Sequence, residues 1–100
     1  TLDLILNRPE ERPQADAQTY TVRLHFAELD NLKPDQRIFD VKLQKEVVLE
    51  GIDVVKETGA SNTALVKEIR GIQAANTIKL ELIPRTDREP IISAIEIYEE

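Results

Sequence analysis

The stretch "YTVRLHFAELDNLKPDQRIFDVKLQ", Tyr20 to Gln44, decides how the chain is read. In its opening residues Tyr20, Val22, Leu24 and Phe26 fall on one face, and Thr21, Arg23 and His25 on the other. That period of two is the signature of a half-buried strand. Arg37 to Leu43 repeats it by placing Phe39, Val41 and Leu43 together. Between the two runs lies a long polar, turn-rich connection. A loop of this kind on a β scaffold is where binding residues usually sit.

Working outward, Thr77 to Ile83 alternates with Ile78, Leu80 and Leu82 inward, and Ile91 to Tyr98 with Ile91, Ser93, Ile95 and Ile97 on one side. Glu46 to Leu49 is a short apolar run paired with Arg37–Leu43 through a turn at Gln44-Lys45. Leu2 to Leu6 reads as a first strand ended by Arg8-Pro9, and residues 7–17 as a surface loop. The β-branched content of Ile52 to Lys56 predicts an extended segment, and Gly59 to Asn62 carries turn chemistry. Thr63 to Arg70 is expected as a strand, because Gly59 and Gly71 bracket a run too short for a stable helix. Pro9, Pro13, Pro34, Pro84 and Pro90 all lie outside or at the ends of these strands. Short strands separated by turns predict an all-β fold, a sandwich or a barrel.

One hundred residues with 41% apolar content suit one domain spanning 1–100. The absence of cysteine removes disulfides, thiolate metal sites and cysteine nucleophiles together. A net charge of -6 repels phosphate backbones and argues against nucleic acid as a partner. No apolar run is long enough to insert in a membrane as a helix, and no signal peptide is visible. A start at Thr1 suggests processing, or a domain cut from a larger multidomain protein.

The residues offer little for catalysis. His25 is the single histidine and shares its strand face with Thr21 and Arg23, which reads as a solvated position. Neither Ser61 nor Ser93 sits in a nucleophile turn, and Ser93 is expected as a small buried residue. The carboxylates Glu28, Asp30, Asp35, Asp40, Glu50 and Asp53 are read as solvated surface. Without a dense D-x-D-x-D-G run they predict no calcium site, and no cofactor is expected. Of four aromatic residues, Tyr20, Phe26 and Phe39 fall on inward faces and Tyr98 is expected to be exposed. The chain is expected not to be an enzyme.

Four segments in order, "YTVRLHFAEL", "QRIFDVKLQKEVVLEGIDVVKETG", "ALVKEI" and "PIISAIEIYEE", resemble the malectin domain family from about Thr19 to Tyr98. The resemblance implies a jelly-roll-like (galactose-binding-like) β-sandwich that binds carbohydrate without catalysis, with a glucose-type oligosaccharide as the ligand class. It also implies an extracytoplasmic or secreted location. In the family an aromatic pair follows the equivalent of Glu28-Leu29 and stacks on the sugar. Here Asp30 and Asn31 stand there, so polar contacts replace stacking. The family's ligand aspartate precedes the last strand, which points to Asp87 or Glu89. The expected ligand-binding set is therefore Asp30, Asn31, Gln36, Arg37, Asp87 and Glu89. The alternative from a different class is a structural or protein-interaction module, in which Leu2–Leu6 pairs with the core or with another copy, the latter giving a homodimer through a sheet edge.

Overall fold

The computed structural model describes residues 2–5, 17–60 and 62–100. They form seven strands and one short helix: β1 (Leu2–Ile5), β2 (Gln18–Ala27), β3 (Phe39–Leu43), β4 (Glu46–Ile52), α1 (Val54–Thr58), β5 (Ala64–Ala74), β6 (Thr77–Pro84) and β7 (Ala94–Glu99). Two antiparallel sheets result, one in the order β1-β6-β3-β4 and the other β5-β2-β7. This is a jelly-roll-like antiparallel β-sandwich. The expected strand pairs with this chain's own β6 at Leu2–Ile5. Leu6, the Arg8-Pro9 stop, the loop at 7–17 with Pro9 and Pro13, and Ser61 lie outside the described residues or on their border.

The alternation of β2 builds the core. Val22, Leu24 and Phe26 are fully buried from one sheet, and Phe39, Val41, Leu43, Ile78 and Leu80 meet them from the other. The rings of Phe26 and Phe39 lie 5.6 Å apart at 55°. Burying a side chain of this size contributes about 1.5–3 kcal/mol, so this shared layer outweighs any single surface ion pair.

The turn expected at Gln44-Lys45 is present, with both residues at positive φ (52° and 70°), the geometry that matches the twist of a two-residue hairpin. Gln44 also closes this end of the sandwich. Its side-chain amide donates to the Gln73 carbonyl on β5 and the Thr77 carbonyl on β6, and its oxygen accepts from the Lys79 N–H.

Three expected boundaries are corrected. Val54–Thr58 is helical, not extended, because Asp53 caps it by accepting from the Lys56 N–H, and burial of Val54 and Val55 outweighs their strand preference. β5 does not stop before Gly71 but runs on to Ala74. Gly71, at φ +74°, sits in a bulge where the register jumps from Tyr20↔Ile72 to Val22↔Ile69. The extra residue shifts the pleat by one, so that both Ile69 and Ile72 pack against the core. Gly51, at φ +63°, does the same in β4, where its N–H donates to the Asp40 carboxylate. Finally, the last strand begins at Ala94, not Ile91. Consecutive Ile91 and Ile92 both pack on the core, which alternation forbids, and Ser93 is exposed instead of buried.

Candidate functional site

The connection from β2 to β3 is organised by charge at its base. Glu28 directly follows the end of β2 and is 2% exposed, and Arg37 precedes β3 at 8%. One terminal nitrogen of Arg37 donates to both oxygens of Glu28 at 3.0 and 2.8 Å, and the other donates to Asp30 at 3.0 Å. The Asp30 N–H donates back to Glu28 at 3.2 Å. Two carboxylates thus share one guanidinium, and the trio carries a net negative charge. The Arg37 Nε is buried with no hydrogen-bond partner, which is costly in a site closed to water.

The loop above is braced separately. Gln36 Oε1 accepts from the Lys33 N–H, and Asp53 accepts from the Asp35 N–H at 2.5 Å, tying the loop to the start of α1. Leu32 is buried beneath it while Leu29 is 70% exposed. A second segment lies alongside: the Arg85 N–H donates to the Ile38 carbonyl and the Ile38 N–H to the Thr86 hydroxyl.

Where these segments meet the crossing at 91–93, a cleft of about 240 Å³ opens, lined by Ala27, Leu29, Asp30, Arg37, Ile91, Ile92 and Ser93. Asp30 and Arg37 are the two expected site residues on its wall. Asn31, Gln36, Asp87 and Glu89 are exposed on the flanking segments and do not line it. The sequence reading missed Ile91, Ile92 and Ser93, because the alternation assigned to them hid their role. Glu28, Asp40 and Asp53 also depart from the solvated reading: all three are buried. Each is paid for by a specific partner, Arg37 for Glu28, the Gly51 N–H and Arg85 for Asp40, and the Asp35 and Lys56 N–H groups for Asp53.

Tyr98 is exposed as expected, at 46%, but on the outer face of the three-stranded sheet. There its hydroxyl donates to Glu96, which also meets His25 at 2.5 Å, while the Arg23 guanidinium lies 5.8 Å from the ring centre. The Tyr98 hydroxyl, and next the His25 ring, hold the Glu96 carboxyl below its usual range, and Glu96 in turn raises the Tyr98 phenol. Arg70 and then Arg23 lower Glu68 on the same face. Among the described residues no group of three or more side chains is arranged to hold a metal ion, and no helix is long and apolar enough to cross a membrane.

Sheet order, buried core and cleft together define a two-sheet β-sandwich domain. The Malectin domain profile matches residues 11–98, and the chain belongs to the malectin family. Receptor-like protein 4 of Arabidopsis thaliana is 34% identical over 84 residues, covering 82% of this chain and 13% of that protein. Nodulation receptor kinase of Pisum sativum is 33% identical over 89 residues, covering 86% of this chain and 9% of its own length. The chain therefore spans only a small part of the curated relatives it matches. In fold it is similar to a chain in the crystal structure of the plant peptide RALF23 in complex with FER and LLG2, with a TM-score of 0.76 at 23% identity over 98% of this chain and 27% of that one. It is also similar to the ANX2 ectodomain from Arabidopsis thaliana, with a TM-score of 0.68 at 22% identity over 82% of this chain and 25% of that one.

Proposed function

We propose that this chain is a non-catalytic carbohydrate-binding module in the extracellular part of a larger receptor-type protein, and that its loop-end cleft takes one unit of a glucose-type oligosaccharide. Family membership and the receptor names of its relatives support the setting. The observation that carries the ligand reading is Asp30 held by Arg37 in a cleft that Ile91, Ile92 and Ser93 also line.

A pyranose offers hydroxyls at its edge and C–H groups on its faces. Asp30 can accept a pair of hydroxyls, and its position is preset by Arg37, so little ordering is spent on binding. Leu29, Ile91 and Ile92 supply the apolar wall that the missing aromatic pair would otherwise provide. At about 240 Å³ the cleft is smaller than the roughly 300–1,000 Å³ of drug-sized sites, which suits one ring. Asn31, Gln36, Asp87 and Glu89 then form a rim for neighbouring sugar units.

Without an aromatic platform, binding is weak, near a Kd of about 1 mM. Titrating isotope-labelled protein with glucose and galactose oligosaccharides should move the amides of Asp30, Arg37 and Ile91–Ser93, and Asp30→Asn should weaken the response roughly tenfold. Unmoved amides at saturating sugar would sink the reading.

A further inference from the structure

The loop from Glu28 to Ile38 carries two of the cleft residues, Asp30 and Arg37, in a backbone shape that needs support. Asn31 and Asp35 both lie at positive φ, 55° and 69°. Asparagine and aspartate tolerate that region better than most side chains, yet it stays less favourable than extended or helical backbone. The loop's own turn is held by the Gln36 N–H on the Lys33 carbonyl at 3.4 Å and the Lys33 N–H on the Gln36 side chain at 2.9 Å. Bonds this local fix the turn and not its place on the sandwich.

Placement comes from the segment around α1. Buried Asp53 divides its carboxylate between two tasks. Oδ1 accepts from the Lys56 N–H and starts α1, while Oδ2 accepts from the Asp35 N–H at 2.5 Å. Beyond α1, the Asn62 N–H donates to the Glu28 carbonyl at 2.7 Å. The Glu28 carboxylate holds Arg37, and Arg37 holds Asp30. One short segment thus grips the loop at its first residue and again at its turn. That segment is itself anchored, because Val54 and Val55 are buried and Glu57 meets Lys67 of β5 at 2.7 Å. The Lys56–Asp35 ion pair, at 3.5 Å between two exposed side chains, adds little.

We propose that Asp53 is a positioning residue for the cleft. Its bond to Asp35 presets the loop, so that Asp30 and Arg37 stand in place before a ligand arrives and less ordering is left for binding. That the ligand is a sugar rests on the function proposed above; that Asp53 places the loop does not. Serine separates the two tasks of the carboxylate. It caps a helix about as well as aspartate does, but its single, shorter hydroxyl leaves the Asp35 N–H without the second oxygen.

Amide hydrogen exchange and a sugar titration on the isotope-labelled 100-residue chain test this together. In the parent without sugar, the Asp35 amide should exchange slowly although its side chain is 68% exposed. Asp53→Ser should speed that exchange at least tenfold and shift the Asp30 and Arg37 amide signals, with the Lys56 amide unchanged. It should also weaken the response to glucose oligosaccharides about tenfold. Gly71→Ala, in the bulge beside Tyr20 and Val22, lowers stability away from the loop and should leave all these readouts at their parent values. An unprotected Asp35 amide in the parent overturns the proposal, whatever the variant does. So does an Asp53→Ser chain whose loop amides match the parent's, or depart from it no further than those of Gly71→Ala. A parent that ignores the sugar ends the carbohydrate reading alone, and the exchange rates then decide the role of Asp53.

Discussion

Replacing Arg37 with alanine would leave the Glu28 carboxylate buried, with the Asp30 N–H as its remaining donor among the described residues. An exposed ion pair of this kind would cost about 0–1 kcal/mol to break. Removing one partner of a buried pair costs about 3–5 kcal/mol, because the other charge is stranded. Glu28 and Arg37 are both nearly inaccessible, so the buried figure applies to them; Asp30, whose side chain is 62% exposed, adds little. The low end, about 3 kcal/mol, is expected because water can enter beside Asp30. A domain of this size has only about 5–15 kcal/mol in total, and the loss corresponds to a fall in Tm of roughly 12–24 °C. Urea unfolding followed by far-ultraviolet circular dichroism measures it as a lower midpoint at unchanged slope. The paired replacement Glu28→Leu with Arg37→Met removes both charges, and should recover stability to within about 1 kcal/mol of the parent. That variant folds yet has lost the cation beneath the cleft, so it separates the loop's architecture from sugar binding. A single-variant loss under about 1 kcal/mol, or a double variant no better than the single, would refute the buried-pair account.

Gly71→Ala meets no atom within 4 Å of the added carbon, so its cost is purely that of holding alanine at φ +74°, about 1–2 kcal/mol; thermal unfolding will read it, and a neutral result would mean the bulge is not held as described. The Glu96, Glu68 and Glu100 carboxyls are all depressed, by the Tyr98 hydroxyl, by Arg70 and by the Gly71 N–H respectively. In that direction the unfolded chain binds more protons, so the stability they contribute is complete above the ordinary value of 4.5 and is lost as pH falls through their folded values. The raised Tyr98 phenol acts with the opposite sign, contributing below its ordinary value of 10.0 and fading as pH rises beyond it. Chemical unfolding across pH should show both flanks, and Glu96→Gln should shrink the two together, since Glu96 is the group that raises Tyr98.

Local pattern carried most of the fold. Period-two alternation identifies β2, β3 and β6 because the signal lies within each strand, and the core it predicts, with Tyr20, Phe26 and Phe39 inward, is the one observed. The elements that were misread are those where a neighbour decides. Gly71 ends a strand or makes a bulge depending on whether β2 continues beside it, and Ile91 and Ile92 show as non-alternating only once both are seen against the core. Asp53 caps a helix, rather than lying in solvent, because the buried valines after it need that turn.

The site divides in the same way. Polar residues in a long loop were legible as candidates, and Asp30 and Arg37 do line the cleft. Nothing in the order of residues says that Arg37 turns inward to Glu28 and Asp30, or that the same cleft is lined by residues more than fifty positions away in the chain. The sequence by itself determined which residues alternate, turn and bury, since these follow from each residue's own chemistry and its nearest neighbours. Only the tertiary structure decided which charges are shared and where the cleft lies, because each depends on segments distant in sequence meeting in space.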